Sequence, residues 1–186
     1  MSATIKTNAG VYFHFHHPYA HNYDPHEIAY ALSYINRFTG HAGAYSVAQH
    51  SVMVSYLVPP DMALEGLLHD AAEAYLGDVA SPLKQLIRAL YKPLEYDVEQ
   101  ALSRQHGLNF PFPPEIKRAD LVMLLTEHRD LMRHTMDSLK DQDCVLWPQD
   151  IEPLPRRCFG LIPAIIRWPA WYARYRFVKR FKELTK

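Results

Sequence analysis

The chain has 186 residues, with twenty Lys or Arg against twenty Asp or Glu, so its formal charge is zero with His neutral. That length suits one domain able to bury a core without disulfides or structural metal, and neutrality excludes a global field for nucleic acid or an anionic membrane. No secretory leader pattern appears, and no apolar run approaches the roughly 20 residues that span a bilayer. Cys144 and Cys158 lie far apart in a Pro-rich region and match no zinc-ligand spacing, so they read as ordinary thiols of a reducing, cytoplasmic setting.

Residues 5–16, IKTNAGVYFHFH, alternate weakly around Asn8 and Gly10, which predicts a hairpin or extended arm within an N-terminal segment 1–23. At Asp24 the pattern DPHE places a cap, a proline at the first helical position and Glu27 as the returning acid of a capping box. A helix then runs to about Tyr34. Ser46 and Gln49 form a second box ahead of VMVSYLV, closed by Pro59 and Pro60. Asp61 precedes MALEGLLHDAAEAYL, expected as one helix ending at Gly77. Further helices are predicted through SPLKQLIRAL from Ser81, from Tyr91 to His106 with Gly107 as its stop, and from Pro114 to about His134. The helical core spans 24–135. Residues 136–186 hold an irregular strap over 137–163 and a basic, aromatic helix from Pro169 to Lys186. The fold class is all-α, a single-domain bundle behind a short N-terminal hairpin.

Within LLHDAAEAYLGD (67–78), a helix puts His69, Glu73 and Asp70 on one arc of about 100°, with Leu67, Leu68, Ala71, Ala72, Ala74 and Leu76 covering the other directions. Ionisable groups enclosed in this way need partners, either Arg and Lys at a helix seam or a cation. His50 lies in the apolar SVAQHSVMVSYLV, and Asp120 interrupts the apolar stripe of ADLVMLL. Each alone is more often a hydrogen-bonded core residue than a ligand. Together they supply two His and two Asp from three helices, an N/O set that suits Mn, Fe, Co, Ni or Zn better than Ca or Mg.

The order His50, His69-Asp70, Asp120 resembles the signature of the HD-domain phosphohydrolases. INRFTGH (35–41), YSVAQHS (45–51), LLHDAAEAYLGDVASPLK (67–84) and IKRADLVMLLTEHRDL (116–131) are similar to the small phage, prophage and bacterial branch of that family. That branch contains 5'-deoxynucleotidases and phage triphosphohydrolases acting on dATP, and the resemblance extends from Asp24 to Leu131. It implies an HD-domain helical bundle in which His50, His69, Asp70 and Asp120 hold a divalent transition metal (Mn, Co or Zn), with a second ion shared by Asp70 and Glu73 left open. Asp70 and Glu73 would be catalytic, Glu73 as acid/base toward the attacking water or as orienter of His69. Arg37 and Lys84 would bind phosphate or else form surface ion pairs, and Phe38 would pack near sugar or base. Asp78 would receive a sugar hydroxyl or the leaving oxygen, or cap a turn. His41 would meet phosphate or serve its turn, and Glu127, seven residues after Asp120, would pair with a nearby Arg or Lys.

The expected activity is metal-dependent hydrolysis of a purine deoxynucleotide phosphate ester, as a dATP triphosphohydrolase or a 5'-deoxynucleotidase, in a homo-oligomer without nucleic-acid or membrane partners. The alternative is an HD-fold protein without turnover that binds nucleotide or nucleic acid. The C-terminal RWPAWYARYRFVKRFKELTK, with seven basic residues against one Glu, departs from the family pattern and reads either as a helix docked on the core or as an interaction surface. His14, His16, His17, His21 and His26 read as exposed arm residues or a metal-binding patch.

Overall fold

A computed structural model describes residues 3–132, 150–155 and 165–186; Cys144, Cys158 and most of the expected strap lie outside them. The described residues are mostly helical, with one small sheet. Strands β1 (Thr4–Lys6) and β2 (Tyr12–His14) pair antiparallel with Ile5 opposite Phe13, joined by a turn whose Gly10 takes φ +84°. Alternation gives the hairpin one anchoring ring: Phe13 is fully buried between exposed neighbours and packs 4.5 Å, centroid to centroid, from Tyr75.

Helix α1 (Pro25–Tyr34) starts where the capping signal put it, with the Asp24 carboxylate accepting from His26 N at 2.9 Å. Glu27 does not return to the cap. It turns inward and accepts from Thr7 Oγ1 (2.5 Å), His21 Nε2 and Tyr75 OH (both 2.9 Å), tying the hairpin to the core. Helix α2 (Val47–Val54) is capped by Ser46 Oγ, which accepts from Gln49 N at 3.2 Å. Gln49 likewise leaves its expected box partner: Nε2 donates to Ile166 O and Oε1 accepts from Trp168 N, each at 2.8 Å, which fastens the approach to the last helix. Helix α2 stops before the prolines, where Arg180 takes the Ser55 carbonyl at 3.1 Å.

The single helix expected over 62–76 is broken. Helices α3 (Ala63–Leu68) and α4 (Glu73–Leu76) flank a turn at 69–72, where the ladder tightens to i to i−3 bonds such as Ala71 N to Leu68 O and Glu73 N to Asp70 O, both 3.0 Å. The cause is local: His69 Nδ1 lies 2.9 Å from the Gly66 carbonyl that Asp70 N would otherwise take. Three residues per turn eclipse positions i and i+3, so Asp70 and Glu73 stack more directly than an α-helix allows.

Helix α5 (Ser81–Leu86) ends at Ile87, and α6 (Arg88–His106) begins three residues before the expected start, accommodating Pro93 in its second turn. Gly107 closes it in the left-handed region, at φ 67°. Helix α7 (Pro114–Leu131) follows; the expected end near His134 falls outside the described residues. Helix α8 (Ala170–Leu184) packs on α1, α2 and α3, with Ala173 and Phe177 fully buried.

Two apolar clusters result. One gathers Phe13, Ile28, Leu32, Val52, Leu67 and Phe177; the other gathers Tyr45, Val54, Ile116 and Met123. Helix α2 contributes to both and is buried on nearly every side, so each of its polar residues, His50 above all, needs a buried partner. Among the described residues no helix is long and apolar enough to cross a membrane.

Candidate metal centre

His50 is fully buried on α2. Its Nδ1 faces Glu127 Oε1 on α7 at 2.5 Å, and that carboxylate also accepts from Arg37 Nε (2.9 Å) and Tyr45 OH (2.8 Å). Burial opposes the charge on Glu127, but Arg37 and then His50 hold its pKa below the usual carboxylate value. An ionised carboxylate is acceptor-only, so the His50 Nδ1 carries a hydrogen. The same holds for His69, whose Nδ1 faces the Gly66 carbonyl. Both imidazoles therefore turn their Nε2 atoms inward, 3.3 Å apart.

Asp120 Oδ1 lies 3.3 Å from His50 Nε2, while its Oδ2 accepts from the exposed Lys117 at 2.7 Å. One donor atom from each of His50, His69 and Asp120 falls within 4.8 Å of the others. Asp70 Oδ2 adjoins this triad, 3.2 Å from His69 Nε2 and 3.5 Å from His50 Nε2. Two imidazole lone pairs and carboxylate oxygens facing one point, with both Nδ1 atoms committed to acceptors, form a donor set that fits a divalent cation. A proton is the lesser substitute. Burial and Arg37 oppose a charge on His50, yet Glu127 and Asp120 outweigh them and raise its pKa to about 9. Burial likewise opposes ionisation of Asp70 and Asp120, but His69 holds the first and His50 the second well below the ordinary range.

Beside the triad lies a carboxyl of opposite character. Glu73 is buried and its Oε2 has no hydrogen-bond partner among the described residues. Burial first, then Asp70 and Asp78, push its pKa well above the usual value, against the pull of Lys84 and Arg37. Lys84 Nζ sits 3.6 Å from Glu73 and 2.9 Å from Glu95. Asp78, in the turn after α4, is raised chiefly by burial and feels Arg37, Asp70 and Lys84.

Arg37 is buried and pairs with Asp70 Oδ2 at 3.4 Å besides Glu127. Two of its five N–H donors are engaged in these bonds. The next turn is strained: Phe38 and Thr39 take φ of 55° and 49°, a region that a β-branched residue enters only when its surroundings hold it there. Phe38 lies with its ring 5.9 Å from the Arg37 guanidinium. His41 does not join the group; it is exposed at the end of that turn, its N–H bonded to Phe38 O.

Sequence reasoning did not foresee that Glu127 orients His50, that Tyr45 supports Glu127, or that Glu95 holds Lys84. Only Glu127 left a signal, as an acid one helical face along from Asp120. The N-terminal histidines divide: His14, His16, His17 and His26 are exposed, and His21 bonds to Glu27.

The chain is 38% identical over 184 residues to the uncharacterized protein YfdR of Escherichia coli K12, covering 98% of this chain and 96% of that one. It therefore belongs to the family of YfdR. An uncharacterized protein of Rhodobacter capsulatus is 36% identical over 103 residues, covering 50% of this chain and 53% of its own length. No protein-family model matches the chain.

Proposed function

We propose that the chain is a metal-dependent phosphohydrolase of the HD-domain type, hydrolysing a phosphate ester of a purine deoxynucleotide. The observation that carries this reading is the pair of inward Nε2 atoms of His50 and His69, 3.3 Å apart, with Asp120 beside them. A divalent ion of the Mn, Co or Zn class held there, with Asp70 as its fourth protein contact, supplies Lewis-acid polarisation of a phosphoryl oxygen and of water.

The remaining roles belong to the chain's own side chains. Arg37, fixed by Glu127, presents a guanidinium suited to paired phosphate oxygens, and Lys84 adds a second cation from α5. Glu73, whose Oε2 has no hydrogen-bond partner among the described residues, serves as the acid/base group toward the attacking water. Asp78 stands within electrostatic reach of the same chamber, where it accepts a sugar hydroxyl. Phe38 offers a ring to sugar or base.

Incubating the protein with each dNMP and dNTP under Mn, Co or Zn, and identifying the phosphate product, tests the reading. Release of orthophosphate from a monophosphate defines a 5'-deoxynucleotidase, and release of triphosphate from dATP defines a triphosphohydrolase. A metal-loaded protein that turns over none of these substrates contradicts the proposal and leaves a nucleotide-binding protein.

A further inference from the structure

Helix α8 has an inner and an outer face of different chemistry. Ala173 and Phe177 dock it on the core, while Trp171, Arg174, Tyr175, Lys179 and Lys182 project outward at helical spacing and are exposed. Residues 167–186 carry seven basic side chains against one acidic, while the rest of the chain carries thirteen against nineteen. The molecule is neutral only in sum, with its positive charge concentrated at this end. The one carboxylate of the helix, Glu183, faces Arg180 at 3.7 Å, leaving the outward cations unopposed along the helix.

A groove of about 380 Å³ runs between this face and α1, lined by Ser33, Tyr34, Trp171, Arg174 and Tyr175 among others. Its rings are unusually bare: Tyr34 is 63% exposed, Trp171 71% and Tyr175 55%. The Arg174 guanidinium lies 5.2 Å from the Tyr30 ring, which in turn neighbours Tyr34 at 5.1 Å. Flat rings flanking a groove, with cations along one side, match a ligand that alternates planar bases with phosphates.

We propose that the α1–α8 groove binds single-stranded nucleic acid, bases stacking on Trp171, Tyr175 and Tyr34 while Arg174, Lys179 and Lys182 meet the phosphates. This surface is independent of the metal centre. A lipid bilayer fits less well, because Val178 packs partly against the core and the exposed face of the helix is built of rings and cations, while insertion at an interface needs a broad apolar face. The overall neutrality that argued against a nucleic-acid partner conceals the local charge.

The test is fluorescence anisotropy of a labelled oligothymidylate of about 16 nucleotides, titrated with the full chain in a chelator so that hydrolysis plays no part. Binding is expected to weaken with salt at a log–log slope of about −2, from three phosphate contacts at roughly −0.7 each. Trp171→Ala and Tyr175→Ala should each weaken binding at least about fivefold, and K179E/K182E should flatten the slope. All four positions are exposed, so melting temperature and metal content should stay unchanged. Absent binding at low salt overturns the proposal, as do unaltered affinities in both ring variants. Capture by anionic vesicles in place of DNA, or self-association that K179E/K182E removes, assigns the groove to another occupant and overturns it equally.

Discussion

His50 Nδ1 and Glu127 Oε1 lie 2.5 Å apart, both side chains fully buried, across 77 residues of sequence. This contact turns the other nitrogen of His50 toward His69, and it makes Glu127 the common support of Arg37 and the candidate metal centre. Glu127→Gln should lower metal affinity about 10- to 100-fold, measured by calorimetry with Co or Zn. Glu127→Ala should in addition cost about 3–5 kcal/mol of stability, because it leaves the buried Arg37 charge without its nearer partner. Urea denaturation checks this second effect.

Glu73 should separate chemistry from structure. Burial, then Asp70 and Asp78, favour the protonated form of its carboxyl, and Glu73→Gln keeps the shape of that form while removing a proton carrier. Metal content should match the parent and the melting temperature should not fall, while the hydrolytic rate drops by about 10²- to 10⁴-fold. Loss of metal in this variant would make Glu73 a ligand instead.

Gly66 tests the turn that sets His69. A Cβ there would stand 2.9 Å from Val58 Cγ2 and 3.2 Å from the Ser55 backbone, and Gly66 O is the group that orients the His69 ring. Gly66→Ala should therefore cost about 1–3 kcal/mol and weaken metal binding with it. Denaturation and calorimetry on the same preparation read both effects.

These residues also mark how far the sequence was legible. The caps at Asp24 and Ser46, the stop at Gly107 and the start at Pro114 were readable because each is decided within one turn of chain. Glu27 and Gln49 carried the same local signal and were misread, since tertiary partners, Tyr75 and His21 for one and the 166–168 backbone for the other, outcompete the cap. The break at 69–72 was invisible because no Gly or Pro marks it and its residues keep the helical spacing of their neighbours, while the His69 side chain facing a backbone carbonyl accompanies the tightening. Of the site, polar residues at apolar positions were conspicuous. The reach of Glu127 to His50 depends on how α7 lies against α2, which no local pattern records.

Glu99 gives a pH dependence on α6, a helix that carries none of the candidate metal ligands. Burial first, then Glu95, raise its pKa from 4.5 to about 7, with Lys92 and Lys84 pulling the other way and Asp70 adding to the rise. An acid whose folded value lies above its unfolded one binds its proton more tightly when folded, so its penalty on stability is absent below the unfolded pKa and complete above the folded one. Stability should fall, by this contribution, as pH rises from about 4.5 to 7. Glu99→Gln should raise the denaturation midpoint more at pH 8 than at pH 5, and equal effects at both would contradict the assignment.

The most direct measurement is Co(II) titration of the chain with His14, His16 and His17 replaced by Gln, followed by visible absorption and by metal analysis after gel filtration. One tightly held equivalent is predicted, with ligand-field bands in the visible that vanish in His69→Ala and Asp120→Ala. Failure to retain cobalt, or retention undiminished in both variants, would contradict a cation site built from His50, His69 and Asp120.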